Sequence, residues 1–156
     1  MSPGPPTPMN TVLEHAEHLR DQAMAELLQA EDGARRLRAQ AEQLVAYRSE
    51  YQARDPARNG QLASIDALRG HLAFMQRLDQ AMEMQQTQLD TAQHKVAALR
   101  EVLLAQETRV ASVRKLAERR GHELLRRTAH LEQRRNDEAA MQRHWHEQAA
   151  ARDSIH

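Results

Sequence analysis

Residues 78–113 read LDQAMEMQQTQLDTAQHKVAALREVLLAQETRVASV, and this stretch decides the fold. Apolar and small side chains recur in it at alternating steps of three and four residues, which is the repeat of a coiled coil. The pattern extends over about residues 61–150, a segment with no proline and only two glycines, Gly70 and Gly121. A single helix of that length would be on the order of 130 Å long, so we expect the remainder of the chain to be organised around it.

We call the inward positions of this repeat the seam. In the second half of the chain the predicted seam residues are Leu78, Met82, Gln85, Leu89, Ala92, Val96, Leu99, Leu103, Gln106, Val110, Val113, Ala117, Arg120, Leu124, Arg127, Leu131, Arg134, Glu138, Met141 and Trp145. Charged side chains enter the seam from Arg120 onward. This helix is predicted to have about 85–90 residues and the first helix of the chain only about 43, so roughly the last forty residues of the longer helix are expected to lack an intramolecular partner.

A first helix is predicted from about residue 10 to residue 53, and Thr11 with Glu14 fits a capping box at its start. Its predicted seam residues are Leu13, Ala16, Arg20, Ala23, Leu27, Ala30, Ala34, Leu37, Ala41, Leu44, Arg48 and Tyr51. Many of these residues are alanines. The two helices can therefore approach closely, although each contact buries little apolar surface.

Residues 54–61 are predicted to connect the helices, because Pro56 disfavours helix at Asp55 and Asn59-Gly60 is a turn pair. A short connection makes successive helices antiparallel neighbours. The predicted fold class is therefore all-α, an elongated antiparallel two-helix coiled coil (a helical hairpin) with a longer C-terminal helix over about residues 62–150. The hairpin forms a single domain over residues 10–150.

Two further predictions concern the ends of these helices. Residues 1–9 contain four of the five prolines and are predicted to be disordered, and residues 151–156 are a tail. Helical spacing resumes after the connection at Leu62, Ile65, Leu68, Leu72 and Met75. Two successive steps of three residues then follow near Met75, with Gly70 close by, which predicts a bend or a short separate helix.

Composition excludes several classes of protein. Aromatic residues make up 3% of the chain and there are only five glycines and five prolines, so a sandwich, barrel or doubly wound sheet is not expected. The absence of cysteine excludes disulfides and thiolate metal sites. No apolar run is long enough to span a membrane, and the N-terminus has no secretory signal pattern. A cytoplasmic location is expected.

The charge is balanced overall but unevenly distributed. Residues 1–106 carry 11 Lys and Arg against 14 Asp and Glu, a net charge of −3, whereas residues 107–156 carry 11 against 8, a net charge of +3. Nearly all basic residues in the second part are arginines, which suit fork-like pairing with carboxylates or phosphates. A solvated helix face and a partner-binding face both fit this pattern.

No catalytic, cofactor or metal site is predicted. The sequence has no glycine-rich phosphate loop, and two packed helices offer no enclosed pocket for shifting the pKa of a catalytic group. His15 with His18, and His144 with His146, have no clear third ligand nearby in sequence. Zero net charge without interleaved aromatic residues argues against nucleic-acid binding, and the distal face is too polar for a membrane surface.

Four large side chains are predicted to meet at one end of the hairpin. Tyr47 and Tyr51 are one turn apart near the end of the first helix, and Phe74 and Leu78 are one turn apart early in the second. They fit a local core that closes this end of the hairpin. They equally fit a docking patch, because aromatic side chains dominate interface hot spots.

Three segments together resemble the FliJ family, the cytoplasmic flagellar export protein of bacterial type III secretion. These segments are LVAYRSEY at residues 44–51, FMQRLDQAMEMQ at 74–85 followed by Gln88-Leu89, and EQRRNDE at 132–138. The resemblance covers essentially the whole chain after Met9. It implies an antiparallel two-helix coiled coil similar to the central stalk of rotary ATP synthases.

The resemblance also implies partners. FliJ-like proteins associate with the hexameric flagellar ATPase FliI, promote its ring assembly, contact the export-gate membrane protein FlhA and escort export chaperones. By alignment with the family, the implied gate-contacting residues are Gln40, Leu44, Tyr47, Tyr51, Phe74, Leu78, Ala81 and Gln85. The hypothesis for contact with the ATPase ring names four arginines of the distal helix, Arg119, Arg120, Arg126 and Arg127.

Two alternatives stand beside the flagellar stalk. One is the equivalent stalk of a virulence injectisome, which uses related machinery. The other is a generic homodimeric coiled-coil scaffold, whose distal helices would pair with each other. An enzyme is not predicted.

Overall fold

The computed structural model describes residues 8–55 and 64–155, which form two α-helices packed against each other. Helix α1 is Pro8–Ala53, with 46 residues, and helix α2 is Ile65–Asp153, with 89 residues. Within the described ranges no strand occurs. The predicted fold class, an all-α helical hairpin with a longer second helix, is confirmed.

The helix bounds differ slightly from those predicted. Helix α1 begins at Pro8, two residues before the predicted start, because a proline in the first turn has no amide hydrogen to lose and a φ suited to the helix. Helix α2 ends at Asp153, three residues beyond the predicted end. The predicted disorder over residues 1–9 is wrong for Pro8 and Met9, which belong to α1. Residues 1–7, and the predicted turn at Pro56 and Asn59-Gly60, lie outside the described residues.

Ser64 caps the start of α2, a feature that the sequence analysis missed. Its hydroxyl oxygen accepts a hydrogen bond of 3.2 Å from the amide of Ala67, and its carbonyl oxygen accepts one of 3.2 Å from the amide of Leu68. Asp66 adds a negative charge in the first turn, where the helix dipole favours it. These interactions place the helix start at Ile65.

The prediction of a short separate helix near Gly70 is wrong, because α2 is a single helix from Ile65 onward. Leu72 and Ile65 also do not face inward, since their exposed fractions are 63% and 69%. His71 and Phe74 take the inward positions and are half-buried. Of the residues predicted to face inward before Leu78, Ile65 and Leu72 are thus exposed, whereas Leu68 and Met75 are half-buried as predicted.

The chain divides into two compact units, of which the larger comprises residues 16–108. In this unit α1 and α2 run antiparallel, because partners pair in opposite order along the two helices: Arg48 with Asp79, Gln40 with Gln85, and Glu31 with Arg100. All eleven of the predicted α1 seam residues in this unit are buried or half-buried, as are those of α2 from Leu78 to Gln106.

The core of this unit is a row of small and branched side chains along the seam. Leu27, Ala34 and Val96 form a buried cluster with exposed fractions of 7–8%. Partly buried apolar residues pack against it, namely Ala30, Ala92, Leu99 and Leu103. Alanine on both helices allows their backbones to approach, as the sequence predicted.

Three polar seam residues of this unit have different surroundings. Arg48 reaches Asp79, with 2.6 Å between Nε and Oδ1. Gln85 Nε2 donates to Gln40 Oε1 at 2.9 Å and lies 3.4 Å from the carbonyl oxygen of Leu37. Gln106 Oε1 is buried and has no hydrogen-bond partner among the described residues.

Among the described residues, the second unit comprises residues 8–15 and 109–155. Val110 is only 3% exposed, and Val113 and Ala117 are half-buried. Every described residue from 118 to 155 is exposed, which confirms the predicted loss of intramolecular packing in the distal seam. No helical segment within residues 8–55 and 64–155 combines the length and the hydropathy that a membrane span requires.

The unsatisfied oxygen of Gln106 leads to a stability prediction. We expect Gln106→Leu to raise the free energy of unfolding by about 1 kcal/mol, because it removes a buried acceptor without a partner and adds apolar surface to the seam. Urea unfolding followed by far-ultraviolet circular dichroism measures the change.

Gln85→Leu is the matched control, since it makes the same substitution at a seam position whose amide group is hydrogen-bonded. We expect it to leave the free energy of unfolding unchanged or to lower it. Equal stabilisation by the two substitutions would show that apolar gain alone is responsible and would contradict the role given to the unsatisfied oxygen.

Candidate protein-interaction surfaces

Four rings meet between α1 and α2 and form what we call the aromatic cluster, consisting of Tyr47, Tyr51, His71 and Phe74. The Tyr51 and Phe74 ring centroids are 4.3 Å apart, and those of Tyr47 and Phe74 are 6.3 Å apart with an edge-to-face geometry. His71 stacks on Tyr51 at 4.9 Å with the ring planes 9° apart. The predicted meeting of the tyrosines with Phe74 is therefore confirmed.

The aromatic cluster is only partly buried. Tyr51, His71 and Phe74 are half-buried, whereas Tyr47 keeps 48% of its surface exposed. Aromatic pairs of this geometry stabilise by about 0.5–1.5 kcal/mol beyond their buried area. The cluster thus contributes to packing and also presents a tyrosine ring to the solvent, so both sequence interpretations retain a physical basis.

A groove of about 550 Å³ borders the aromatic cluster. Tyr51, His71 and Phe74 line it together with Arg54 and Arg77. Sequence reasoning missed the two arginines and His71. The usable signal was the spacing of His71, Phe74 and Leu78, which places these residues on one face of α2.

The ion pair between Arg48 and Asp79 holds the two helices together beside the aromatic cluster. Arg48 Nε donates to Asp79 Oδ1, and this hydrogen bond, together with the negative charge of Asp79, raises the pKa of Arg48 above its ordinary value. Arg48 Nη1 also donates to Gln52 Oε1 at 3.3 Å. The guanidinium is therefore directed to one position across the seam.

The structure brings most of the predicted gate-contacting residues together in the larger unit. Gln40 pairs with Gln85, and Tyr47 and Tyr51 contact Phe74. Leu44 and Ala81 are half-buried. Leu78 is only 7% exposed, so its side chain supports this surface from the interior.

The four arginines proposed for the ATPase ring are all exposed on α2. Arg119 and Arg126 are seven residues apart, as are Arg120 and Arg127, so each pair lies on one side of the helix. None of the ion pairs found within residues 8–55 and 64–155 involves any of the four. Exposed Leu124 and Leu125 lie between the two pairs.

Two of the four histidines considered as metal ligands, His18 and His144, have glutamine neighbours. Each of two histidines lies beside a glutamine one turn later: His18 Nε2 is 3.2 Å from Gln22 Nε2, and His144 Nε2 is 3.1 Å from Gln148 Nε2. The part of the chain that the structure describes contains no group of three or more His, Cys, Asp or Glu residues placed to hold a metal ion.

Comparison with known proteins gives one match. The family model described as "Flagellar FliJ protein" matches residues 6–149 of the 156-residue chain. Searches of curated proteins and of solved structures found no match. Because the family match spans most of the chain and agrees with the two packed helices, the protein belongs to the FliJ family and is related to flagellar protein export.

Proposed function

We propose that the protein is a non-enzymatic coiled-coil stalk of the flagellar type III export apparatus. In this role it promotes the assembly and activity of the hexameric export ATPase and links the ATPase to the export gate and to export chaperones. Family membership supports the export apparatus in general. The two long packed helices are suited to a mechanical or scaffolding part.

The observation that carries this proposal is the exposure of the distal part of α2. Every described residue from 118 to 155 is exposed, although leucine, methionine and tryptophan continue the seam there. The exposed fractions are 57% for Leu124, 64% for Met141 and 67% for Trp145. A helix whose apolar seam side chains are exposed to solvent is suited to insertion into a partner protein that buries them.

The two proposed contact surfaces lie in different parts of the sequence. The surface for the export gate involves residues 40–51 and 74–85, whereas that for the ATPase ring involves residues 119–127. Substitutions can therefore affect one surface without touching the other. The proposed location is the cytoplasm, with peripheral association at the inner membrane through the gate.

A homodimeric scaffold would use the same exposed seam, with two copies of α2 pairing through it. Sedimentation at several concentrations separates the two functions. A scaffold is a tight dimer, whereas a stalk is monomeric or weakly associating. An injectisome stalk would instead stimulate the ATPase of that system.

The proposed function is tested by mixing the protein with the flagellar ATPase of the same organism and following ATP hydrolysis and ring formation together. We expect faster hydrolysis and more hexamers at a ratio near one protein per six ATPase subunits, because one stalk occupies one ring. The protein alone serves as the control and should not hydrolyse ATP. No effect on either quantity, together with a stable homodimer, would contradict the proposal.

Charge reversal tests the arginine surface. We expect ATPase binding to weaken at least about tenfold when the four arginines become glutamates, because carboxylates would then face the acidic loops that we propose as their partners. The substitutions are Arg119→Glu, Arg120→Glu, Arg126→Glu and Arg127→Glu. Surface plasmon resonance at two salt concentrations measures the affinity. The difference in affinity between the unaltered protein and the charge-reversed variant should shrink at high salt.

The matched control reverses two exposed arginines that lie outside residues 118–155 and outside the proposed gate surface, Arg36→Glu with Arg69→Glu. The double variants Arg119→Glu/Arg120→Glu and Arg126→Glu/Arg127→Glu carry the same charge change as this control. Equal weakening by all three double variants would show that net charge alone matters and would reject the four named arginines as the contact.

A second pair of substitutions tests the aromatic cluster as a docking surface. We expect Tyr47→Ala with Phe74→Ala to reduce capture of the cytoplasmic domain of the gate protein several-fold, because the exposed ring and its support are lost. Stimulation of the ATPase should remain, since residues 118–155 are unchanged. Val102→Ala, at a position that is 45% exposed and lies outside both segments of the proposed gate surface, is the control.

Circular dichroism of the same variant decides between docking and packing. The variant removes the contacts of Phe74 with both tyrosines, and both rings are only partly buried, so we expect the helix content to be retained and the free energy of unfolding to fall by about 2–4 kcal/mol. Loss of the folded hairpin, with gate capture failing for that reason, would instead assign the cluster to packing alone.

A further inference from the structure

A groove of about 450 Å³ lies between α1 and α2 in the larger unit, away from the aromatic cluster. Its apolar floor consists of Ala34 and Val96, both 8% exposed. The groove exists because Ala34 is small, so that two helix backbones and the longer side chains around them rise above it. None of the residues proposed to contact the gate or the ATPase ring lines it.

The walls of this groove are basic. Arg35 and Arg38 come from α1 and Arg100 from α2, and among the described residues that line the groove only Glu31 carries a carboxylate. These four charged side chains sum to +2, although the whole chain has a net charge of zero. We call this feature the basic groove.

The acidic neighbours leave this positive charge largely unneutralised. Glu31 Oε1 pairs with Arg100 Nη2 at 3.2 Å. Arg35 approaches Asp32 only to 3.8 Å, a distance too long for a hydrogen bond, and the closer partner of that carboxylate is Arg36, at 2.8 Å. Arg38 takes part in none of the ion pairs found among the described residues. Arg35 and Arg38 are therefore available for an external anion.

We propose that the basic groove docks an acidic amphipathic helix of a partner protein. Arg35 and Arg38 are three residues apart on one side of α1, and carboxylates one turn apart on a partner helix match this spacing. Apolar side chains of the same partner helix contact Ala34 and Val96. The complex is then a local three-helix arrangement. Apolar side chains buried on Ala34 and Val96 stabilise its centre, and carboxylate–arginine pairs stabilise its sides.

Charge and surface together favour a helix over a small anion. The Arg35 and Arg100 side chains are 72% and 65% exposed, so a free phosphate would meet them in water, where an isolated charge pair stabilises little. A helix adds buried apolar area over the floor and presents several carboxylates at once. A second copy of this chain is less suited, since its longest run of acidic residues is two.

A labelled peptide tests the proposal with the full-length protein and without the ATPase, so the result does not depend on the proposed export function. The probe is an alanine-rich helical peptide of about 20 residues, with leucines on one face and glutamates flanking them. A second peptide has lysines in place of the glutamates. We expect fluorescence anisotropy to show saturable binding of the acidic peptide and at least about tenfold weaker binding of the lysine peptide.

Variants locate the binding. Arg35→Glu with Arg38→Glu should weaken binding of the acidic peptide at least about tenfold. The neutral pair Arg35→Gln with Arg38→Gln should weaken it less. Reversal at Arg134 and Arg135 changes the net charge equally at a distant exposed site and should alter the affinity by less than about twofold. Equal weakening by this control, or unchanged affinity in the groove variants, would overturn the proposal.

A dye gives a readout that does not depend on charge variants. Because the chain has no cysteine, Gln93→Cys places a unique label in the basic groove of an otherwise unaltered chain, and Gln148→Cys places one on the exposed distal helix. The acidic peptide should change the emission of the first label only. No change at residue 93 would reject the groove as the site, and concentration-dependent quenching without peptide would identify a second copy of the chain as its occupant.

Discussion

The structure depends on one constraint, the close packing of two helices along a seam rich in alanine. With so few large side chains to bury, the hairpin gains stability only if the helices stay near each other over many turns, since each contact contributes little. The cluster of Leu27, Ala34 and Val96 is an example of such a small contact, because it consists of one leucine and one valine packed around an alanine. The same small side chains leave grooves between the helices, where charged side chains from both helices become neighbours.

Polar side chains in the seam and beside it give the pairing a specific alignment. The Arg48–Asp79 ion pair, the Gln40–Gln85 hydrogen bond and the Glu31–Arg100 ion pair occur at three levels of the larger unit. Sliding one helix by a turn would break all three of these pairings. Partly exposed ion pairs stabilise little by themselves, but a misaligned hairpin would lose every one of them.

The seam was predictable from the sequence because a repeat of three and four residues has a direct physical meaning, and Leu13 to Tyr51 obeyed it without a slip. The meeting of Tyr47 and Phe74 followed from the same repeat and a short connection. The inward face of α2 before Leu78 was predicted only in part, because Ile65 and Leu72 share the helical spacing of Leu68 and yet are exposed, whereas His71 stacks on Tyr51. The repeat of apolar residues did not predict the Ser64 cap or the basic groove, because both depend on contacts of polar side chains and of the backbone.

The exposed distal part of α2 gives a single helix two zones of local stability. Up to Ala117 tertiary packing supports the backbone hydrogen bonds, whereas beyond it they rely on intrinsic propensity and on side-chain pairs one turn apart. Gly121 stands just past this boundary, with no neighbour within 4 Å of where a Cβ would lie, and glycine disfavours helix by about 1 kcal/mol relative to alanine. Amide exchange should accelerate there. Binding of a partner to this segment then stabilises its helical conformation. The affinity of that partner therefore depends on the helix–coil equilibrium of the whole segment, including residues that the partner does not contact.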